Sequence, residues 1–267
     1  MYSFLKDLNW ILSHQFGINL PKFCRALPRL LKFFLDTTQY LLLVNQKNNY
    51  NFYLKPCLHD YAEEAGDIDN EYFWQDLVVA NKVHALMPER HLDVGSRLDG
   101  FIAHISLITE VQCIDIRPIF TSIPNIEFIQ CDICDYYNVS SQIQKYGQYD
   151  SMSCLHALEH MGLGRYGDTI SSFAVKQSMS NMSMFLRKGG RFYLSAPVGI
   201  SAVHFNANYI FDPRELIECA RLVGLKFEIL TILSSLNRHK NDLDIESMLE
   251  ELSMEKYNLV LLEFTKT

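Results

Sequence analysis

The sequence lacks an apolar run as long as a membrane-spanning helix. Its longest apolar stretch, Leu30 to Val44, is interrupted by charged and polar residues, namely Lys32, Asp36, Thr37, Thr38 and Gln39. A helix that crosses a bilayer needs about 20 mostly apolar residues. The first residues also lack the basic, apolar and small-residue regions of a secretory signal. We therefore expect a cytoplasmic protein without a transmembrane segment.

Positive charge is also scarce. The chain has 24 basic and 31 acidic residues, which gives a formal net charge of −7, and no basic stripe is visible. Proteins that bind nucleic acid neutralise phosphates with clustered lysine and arginine. We therefore expect that nucleic acid is not the substrate.

Cysteine is present in an odd number and in no framework pattern. The seven cysteines show neither the density of a secreted disulfide scaffold nor the paired spacing of a structural metal site. Cys131 and Cys134 form a single C-x-x-C without a second pair or a thioredoxin-like context. We expect reduced, mostly buried cysteines and no metal ion.

The first part of the chain, residues 1–87, is expected to form a helical extension and linker. After Pro28, apolar residues recur at helical spacing, as at Leu31, Phe34 and Leu35. This stripe is expected to pack on the main domain. Contact with a membrane surface or a partner is the alternative, since Arg29 and Lys32 lie near a Phe-rich face. A polar linker, 47–69, precedes a helix at 70–87.

Residues 88–267 alternate short apolar segments with amphipathic ones, which predicts a doubly wound, mostly parallel α/β sheet. A helix at 213–222 is framed by Asp212 as N-cap, Pro213 at the first position and Gly224 beyond its end. The polar segment 233–256 is interpreted as an insertion. The seven expected strands are 91–95, 112–116, 127–131, 150–154, 191–195, 226–231 and 259–264.

The first strand ends in Asp93 and is followed by Gly95 and Gly100 in a turn that opens a helix. Glycines allow a ligand to approach the backbone closely, and a helix start attracts a negatively charged group. Asp115 ends the second strand twenty residues after Gly95, where doubly wound folds hold a ribose. Asp132 ends the third strand, where an acid accepts a hydrogen bond from an adenine amino group. Three acids at successive strand ends indicate a nucleoside-containing cofactor.

A nicotinamide-dependent oxidoreductase uses the same first turn and the same ribose acid. It is the less favoured interpretation, because only two of the three fingerprint glycines are in usable positions, with Arg97 and Asp99 between them. Asp132 also suits adenosylmethionine better than a dinucleotide.

From Asp93 to Phe264 the chain resembles the class I S-adenosylmethionine-dependent methyltransferases, which have a seven-stranded, Rossmann-like fold. The glycine turn before the fifth strand, in 186–195, is similar to the corresponding methyltransferase segment. The resemblance implies adenosylmethionine as cofactor and a site made of Asp93, Gly95, Ser96, Arg97, Gly100, Asp115, Ile116, Asp132, Ile133, Leu155 and His156.

Four segments, 72–76, 90–101, 158–168 and 203–206, also resemble a small, uncharacterised methyltransferase-like family. Some bacterial members of that family accompany genes for surface-polysaccharide assembly. This resemblance implies a sugar, a sugar nucleotide or a phosphorylated precursor as methyl acceptor.

The acceptor is expected to contact the loop after the fourth strand. This loop contains His156, Glu159 and His160 in the spacing H-x-x-E-H, which is also that of inverted zinc peptidases. We do not favour the peptidase interpretation, because the motif directly follows a parallel strand and no third ligand is evident downstream. Glu159 and His160 are instead expected to orient the acceptor. Further acceptor contacts are expected from Arg165, Tyr166 and Asp168.

The loop after the fifth strand, 197–212, contains His204, Asn206 and Asn208. A hydroxyl acceptor must lose its proton, and imidazole titrates near neutral pH. His204 is therefore the first choice as general base and His160 the second, while both asparagines are expected to bind the acceptor. A scaffold that has the methyltransferase fold without catalysis, and that binds an assembly partner through its N-terminal helices, is the alternative.

Overall fold

The computed structural model describes residues 2–43, 51–60, 70–234 and 244–267. Its contacts divide the chain into two units, Met1–Asp67 and Ile68–Thr267. The predicted domain boundary between residues 87 and 88 remains a prediction. The expected linker 47–69 lies mostly outside the described residues.

The first unit contains helices α1 (Tyr2–Phe16) and α2 (Leu20–Leu43), and α2 begins before Pro28 rather than after it. The expected burial of its apolar stripe is not confirmed, because no residue of α2 is buried. Leu31 and Leu35 are 67% and 63% exposed. So small a unit offers little surface against which such a stripe can be buried.

The described residues of the second unit form nine strands, which are β1 (Arg90–Val94), β2 (Glu110–Asp115), β3 (Ile126–Gln130), β4 (Tyr149–Leu155), β5 (Leu186–Val198), β6 (Ala202–His204), β7 (Asn208–Ile210), β8 (Leu225–Ile232) and β9 (Asn258–Lys266). Its helices are α3 (Glu71–Leu86), α4 (Ala103–Ile105), α5 (Tyr136–Tyr146), α6 (Ala174–Phe185), α7 (Pro213–Leu222) and α8 (Ile245–Met254). A π-helical turn at Leu98–Ile102 precedes α4, and a 3₁₀ turn at Leu158–His160 follows β4.

Seven strands form one sheet in the order β3-β2-β1-β4-β5-β9-β8. The pairs from β3 to β5 are parallel, whereas β9 runs antiparallel to both β5 and β8. The predicted doubly wound, seven-stranded, mostly parallel sheet is therefore confirmed. The sequence analysis missed the small hairpin of β6 and β7, whose strands have three residues each.

The helices cover both faces of the sheet. One face packs against α5, α6, α7 and α8, with Met179 and Leu216 in its core. The other face packs against α3 and the 98–105 segment, with Val83 and Phe101 buried there. The helix predicted at 213–222 is confirmed, and Asp212 accepts a hydrogen bond from the Arg214 amide as its N-cap. Part of the expected insertion, 235–243, lies outside the described residues, and the rest contains α8.

Among the described helices, none combines the length and the apolar character that a bilayer span requires.

A buried row of polar side chains links β1 to β4 at the centre of the sheet. The two ring nitrogens of His91 each lie 2.8 Å from a hydroxyl, one of Ser151 and one of Ser153. The Ser153 hydroxyl in turn donates to Asp93. Burial lowers the pKa of His91 to about 3, so the ring is neutral and one nitrogen accepts a hydrogen bond. This row ends near the carboxyl ends of β1 and β4.

The core position of β9 yields a stability prediction. Leu262 is fully buried between the two neighbouring strands, whereas Leu222, at the end of α7, is 71% exposed. Leu262→Ala is expected to lower the free energy of unfolding by about 2 to 5 kcal/mol, because it leaves a cavity. Leu222→Ala is expected to change it by less than about 0.5 kcal/mol. Urea unfolding measures both, and equal losses would contradict the placement of β9.

Candidate active site

One cavity of about 570 Å³ opens at the carboxyl ends of the parallel strands. Its size is within the range of small-molecule sites, about 300 to 1,000 Å³. Among the predicted site residues, those that line it are Gly95, Arg97, Asp115, Ile116, Asp132, Ile133, Leu155, His156, His160, Arg165, Tyr166, Asp168 and Asn208. The structure therefore brings most of the predicted cofactor and acceptor residues to one place.

Gly95 forms the turn between β1 and the helical segment. Its φ angle is +75°, and a Cβ atom at this position would lie 3.0 Å from the Cβ of Ala157. The turn is fixed by a hydrogen bond of 2.8 Å from the Gly95 amide to the Ile114 carbonyl. Glycine thus allows the turn after β1 to pass close to the loop after β4.

Asp93 lies behind this turn and does not line the cavity. Its carboxylate accepts hydrogen bonds from the Ser96 amide at 3.0 Å, from the Ser96 hydroxyl at 2.7 Å and from the Ser153 hydroxyl. Burial raises the pKa of Asp93 to about 6, although these hydrogen bonds act in the opposite direction. Asp93 and Ser96 therefore stabilise the turn, and the cofactor contacts expected of them remain predictions.

Gly100 is not part of the cavity wall. A Cβ atom there would lie 2.2 Å from a carboxylate oxygen of Asp76, which is on α3. The absence of a side chain lets α3 pack against the segment after β1, and the cofactor contact expected of Gly100 remains a prediction. Arg97 does line the cavity, but its guanidinium pairs with Asp99 and lies 5.7 Å from the centre of the Tyr72 ring.

The ends of β2 and β3 supply acids and apolar side chains to the same wall. Asp115 accepts from the Arg117 amide at 2.8 Å and from its Nε at 3.0 Å, while its side chain is 15% exposed. Asp132 accepts from the Cys134 amide at 2.8 Å. Ile116 and Ile133 follow these acids and line the cavity. This wall therefore combines two acceptor groups with two apolar surfaces.

The H-x-x-E-H motif does not lie on one helix. His156 directly follows β4 with a φ angle of +54°, and Glu159 and His160 belong to the 3₁₀ turn. The His156 ring stacks on Tyr72 at 4.9 Å, and its Nδ1 contacts Glu159 Oε1. His160 Nε2 lies 3.7 Å from the same oxygen. The backbone turn thus gathers the three side chains although they are not on successive helical turns.

Burial and charge act differently on the two histidines. Burial lowers the pKa of His156, but the hydrogen bond and the negative charge of Glu159 outweigh it, so the pKa is raised. Burial lowers the pKa of His160, and Glu159 only partly opposes this. His160 Nδ1 lies 2.7 Å from the Ala207 carbonyl oxygen and donates to it, which leaves Nε2 with a free lone pair.

The loop that follows is held by Asp168. Its carboxylate accepts from the amides of Gly162 at 2.8 Å, Gly164 at 3.1 Å and Tyr166 at 3.1 Å. The Arg165 Nη1 atom donates to the Ala207 carbonyl at 3.0 Å. Asp168 therefore shapes the loop that carries Arg165 and Tyr166.

The structure does not bring His204, the first choice as general base, to the cavity. His204 and Asn206 are exposed and do not line the cavity, because their loop folds into the β6–β7 hairpin with its turn in solvent. Of the three predicted residues in this loop, only Asn208 lines the cavity.

Sequence reasoning missed Tyr72, Arg117 and Tyr257, which also line the cavity. Tyr72 lies in α3, which was assigned to the N-terminal extension, and Tyr257 directly precedes β9. The Tyr257 hydroxyl donates to Glu71 at 2.7 Å, and burial together with this acid raises the pKa of Tyr257. Tertiary packing brings Tyr72 and Tyr257 to the strand ends, whereas Arg117 directly follows Asp115 and Ile116 after β2. The only local signal for Tyr72 was its position in segment 72–76, one of those that resemble the methyltransferase-like family.

The close approach at Gly95 yields a second stability prediction. Gly95→Ala and Gly224→Ala introduce a Cβ at similar φ angles, +75° and +76°. At Gly95 the new atom meets the Cβ of Ala157, whereas at Gly224 it meets the ends of the flexible side chains Lys266 and Thr267. Gly95→Ala is therefore expected to lower the melting temperature more than Gly224→Ala does, as thermal unfolding followed by circular dichroism can measure. A larger loss at Gly224 would disprove the steric contact.

Comparison with solved structures returns proteins of similar fold. An N1-methyltransferase of 1,6-didemethyltoxoflavin from Burkholderia thailandensis, with bound S-adenosylhomocysteine, is 14% identical over 75% of this chain and 80% of its own, at a TM-score of 0.48. The N-methyltransferase NodS from Bradyrhizobium japonicum is 11% identical over 74% and 98%, at 0.48. A TehB-like methyltransferase from Corynebacterium glutamicum is 16% identical over 76% and 90%, at 0.46.

No curated protein matches the sequence. Residues 122–264 match the model of a family described as "Caenorhabditis protein of unknown function, DUF268". The matched range includes the loop after β4, the β6–β7 hairpin and most of β9. Because the match spans more than half of the chain, the protein belongs to the DUF268 family.

Proposed function

We propose that this protein is an S-adenosylmethionine-dependent methyltransferase that methylates an oxygen of a small polar acceptor. The observation that supports this most strongly is the convergence of the Gly95 turn, Asp115 and Asp132 on one cavity at the carboxyl ends of the strands. Cofactors of doubly wound folds bind at this edge of the sheet.

The residues of the cavity fit this cofactor. The turn at Gly95 offers backbone without a side chain, and Asp115 ends β2, where a ribose diol is held in such folds. Ile116 and Ile133 would contact the two faces of an adenine, with Asp132 at its amino group. When bound, the cofactor supplies an electrophilic methyl group on sulfur.

The sheet favours this cofactor over a nicotinamide dinucleotide. Dinucleotide-binding folds commonly have the strand order 3-2-1-4-5-6. Here the last strand of the chain, β9, is inserted between β5 and β8 in the reverse direction. The seven-stranded, mostly parallel sheet is the one expected from the resemblance to class I methyltransferases.

The acceptor is assigned to the part of the cavity near His156, His160 and Arg165. Methyl transfer needs an acceptor aligned with the methyl group and, for a hydroxyl, the removal of its proton. Since His204 lies in solvent, we assign the removal of the proton to the cluster of His156, Glu159 and His160. Among the described residues, no carboxylate pairs with Arg165, so its guanidinium is available to an anionic acceptor.

These groups suit a phosphorylated sugar or a sugar nucleotide, which presents both hydroxyls and negative charge. The resemblance to a family that accompanies surface-polysaccharide genes supports the same class of acceptor. A scaffold without catalysis is the alternative. An acceptor screen with methyl-labelled cofactor against nucleotide sugars and phosphorylated sugars distinguishes the two, because only the enzyme transfers the label.

Cofactor binding can be tested with a closely matched pair of variants. Asp115 and Asp212 each bind the arginine two positions later through its backbone amide, Nε and Nη2, and their side chains are 15% and 18% exposed. Only Asp115 lines the cavity. Asp115→Asn is expected to weaken adenosylmethionine binding about tenfold or more, because a charged hydrogen-bond acceptor is lost.

Asp212→Asn is expected to leave the affinity unchanged, since asparagine also serves as an N-cap. Calorimetric titration of the wild type and both variants with adenosylmethionine, and of the wild type with NAD, provides the measurement. Equal affinities for the two variants, or a preference for NAD, would refute the proposed cofactor site.

A further inference from the structure

Three side chains in the loop after β4 have the composition of a metal site. His156, Glu159 and His160 each offer one ligand atom, and these atoms all lie within 4.8 Å of one another. Ligands of a divalent metal at about 2.1 Å from the ion lie about 3 Å apart. Small side-chain rotations therefore suffice to bring all three atoms onto one ion.

Glu159 provides a second, independent observation. Its side chain is fully buried, and its Oε2 atom has no hydrogen-bond partner among the described residues. A buried carboxylate oxygen without a partner is costly, because it has lost water and gained nothing in return. Because Oε1 is the oxygen that contacts His156, a cation would satisfy Oε2 if both carboxylate oxygens of Glu159 bind it.

The surrounding contacts orient the three ligands. His160 donates from Nδ1 to the Ala207 carbonyl, and a second-sphere hydrogen bond of this kind directs Nε2 towards a metal. The His156 amide donates to the Ser195 hydroxyl at 3.0 Å, and its ring is stacked on Tyr72. The ligands are thus held by β5, the hairpin and α3 rather than by one helix.

The geometry points to a divalent transition-metal ion, such as Zn²⁺, bound by His156, Glu159 and His160, with its open coordination positions towards the cavity. Two imidazoles and one carboxylate are a common set for zinc and iron ions with open positions. His156 and His160 both line the cavity, so an acceptor there reaches the ion. This inference deepens the proposed function and rests on it for the role of the ion.

In that role the ion binds the acceptor hydroxyl and lowers its pKa. The O–H bond breaks and the proton passes to solvent. An electron pair of the oxygen forms the bond to the methyl carbon, the carbon–sulfur bond breaks, and its electron pair remains on sulfur as S-adenosylhomocysteine forms. The site also revises the expectation of no metal ion, which was based on the cysteine spacing and on the lack of a third ligand downstream of the H-x-x-E-H motif.

The test begins with full-length protein that has been treated with a chelator and then titrated with Zn²⁺ by calorimetry and with Co²⁺ by visible absorption. One equivalent of either ion is expected to bind, and Co²⁺ is expected to develop ligand-field bands. Mg²⁺ is expected to compete poorly, because imidazoles favour transition metals. Failure of the wild type to bind either ion overturns the proposal and leaves a histidine–glutamate pair as the acceptor's base.

Variants then locate the ion. Glu159→Gln and His160→Gln are expected to weaken Zn²⁺ binding about tenfold or more, while His204→Gln, an exposed histidine on the neighbouring hairpin, is expected to leave it unchanged. Unchanged binding in both cluster variants overturns the site. If the buried Glu159 variant fails to fold by circular dichroism, the half-buried His160 variant decides.

Titration with adenosylmethionine separates this proposal from the previous one. If adenosylmethionine binds and metal does not, only the metal site fails. If one metal ion binds at the cluster and adenosylmethionine does not bind, the metal site stands and the proposed methyltransferase function fails.

Discussion

The buried polar row between β1 and β4 determines the geometry of the whole site. His91, Ser151, Ser153 and Asp93 replace apolar contacts at the centre of the sheet with hydrogen bonds, and each of these groups is almost fully buried. Buried polar groups tolerate little displacement, because a lost partner costs more than the hydrogen bond itself contributes. The register of β1 against β4 is thereby fixed.

The two loops that line the cavity after β1 and β4 begin where this row ends. The Gly95 turn leaves β1 directly after Asp93, and the loop of His156 leaves β4 shortly after Ser153. The absence of a side chain at Gly95 lets the two loops lie close together, since a Cβ atom there would lie 3.0 Å from the Cβ of Ala157. A cofactor beside the loop after β1 and an acceptor beside the loop after β4 would therefore be held next to each other. Methyl transfer mainly requires that the acceptor be aligned with the methyl group, so this arrangement suits it.

Much of the sheet could be predicted from the sequence, because parallel strands buried on both faces appear as short apolar runs between amphipathic segments. The acids at the strand ends could be placed for the same reason, since the carboxyl ends of these strands meet at one edge. The position of Asp93 at a strand end could be predicted from the sequence, but its surroundings could not. Nothing in the local sequence predicts that Ser96 and Ser153 surround its carboxylate. The position of His204 depended on a hairpin too short to show an alternating pattern.

The H-x-x-E-H motif illustrates a different limit. Its spacing places the three side chains on one face only if the segment is an α-helix. Here the segment is not an α-helix. The left-handed backbone conformation of His156 and the 3₁₀ turn that follows it bring the side chains together instead. Tyr72 and Tyr257 were missed because they come from the two ends of the domain, and sequence distance conceals such neighbours. Local patterns thus predict the elements of this protein better than the contacts between them.

The position of β9 has a consequence for how the protein is made on the ribosome. β9 is synthesised after β5 and β8 yet lies between them in the sheet. A nascent chain that has completed β8 therefore carries two strands with unpaired edges and a half-open core, a state that invites wrong pairing. The sheet therefore cannot reach its final strand pairing until β9 has been synthesised.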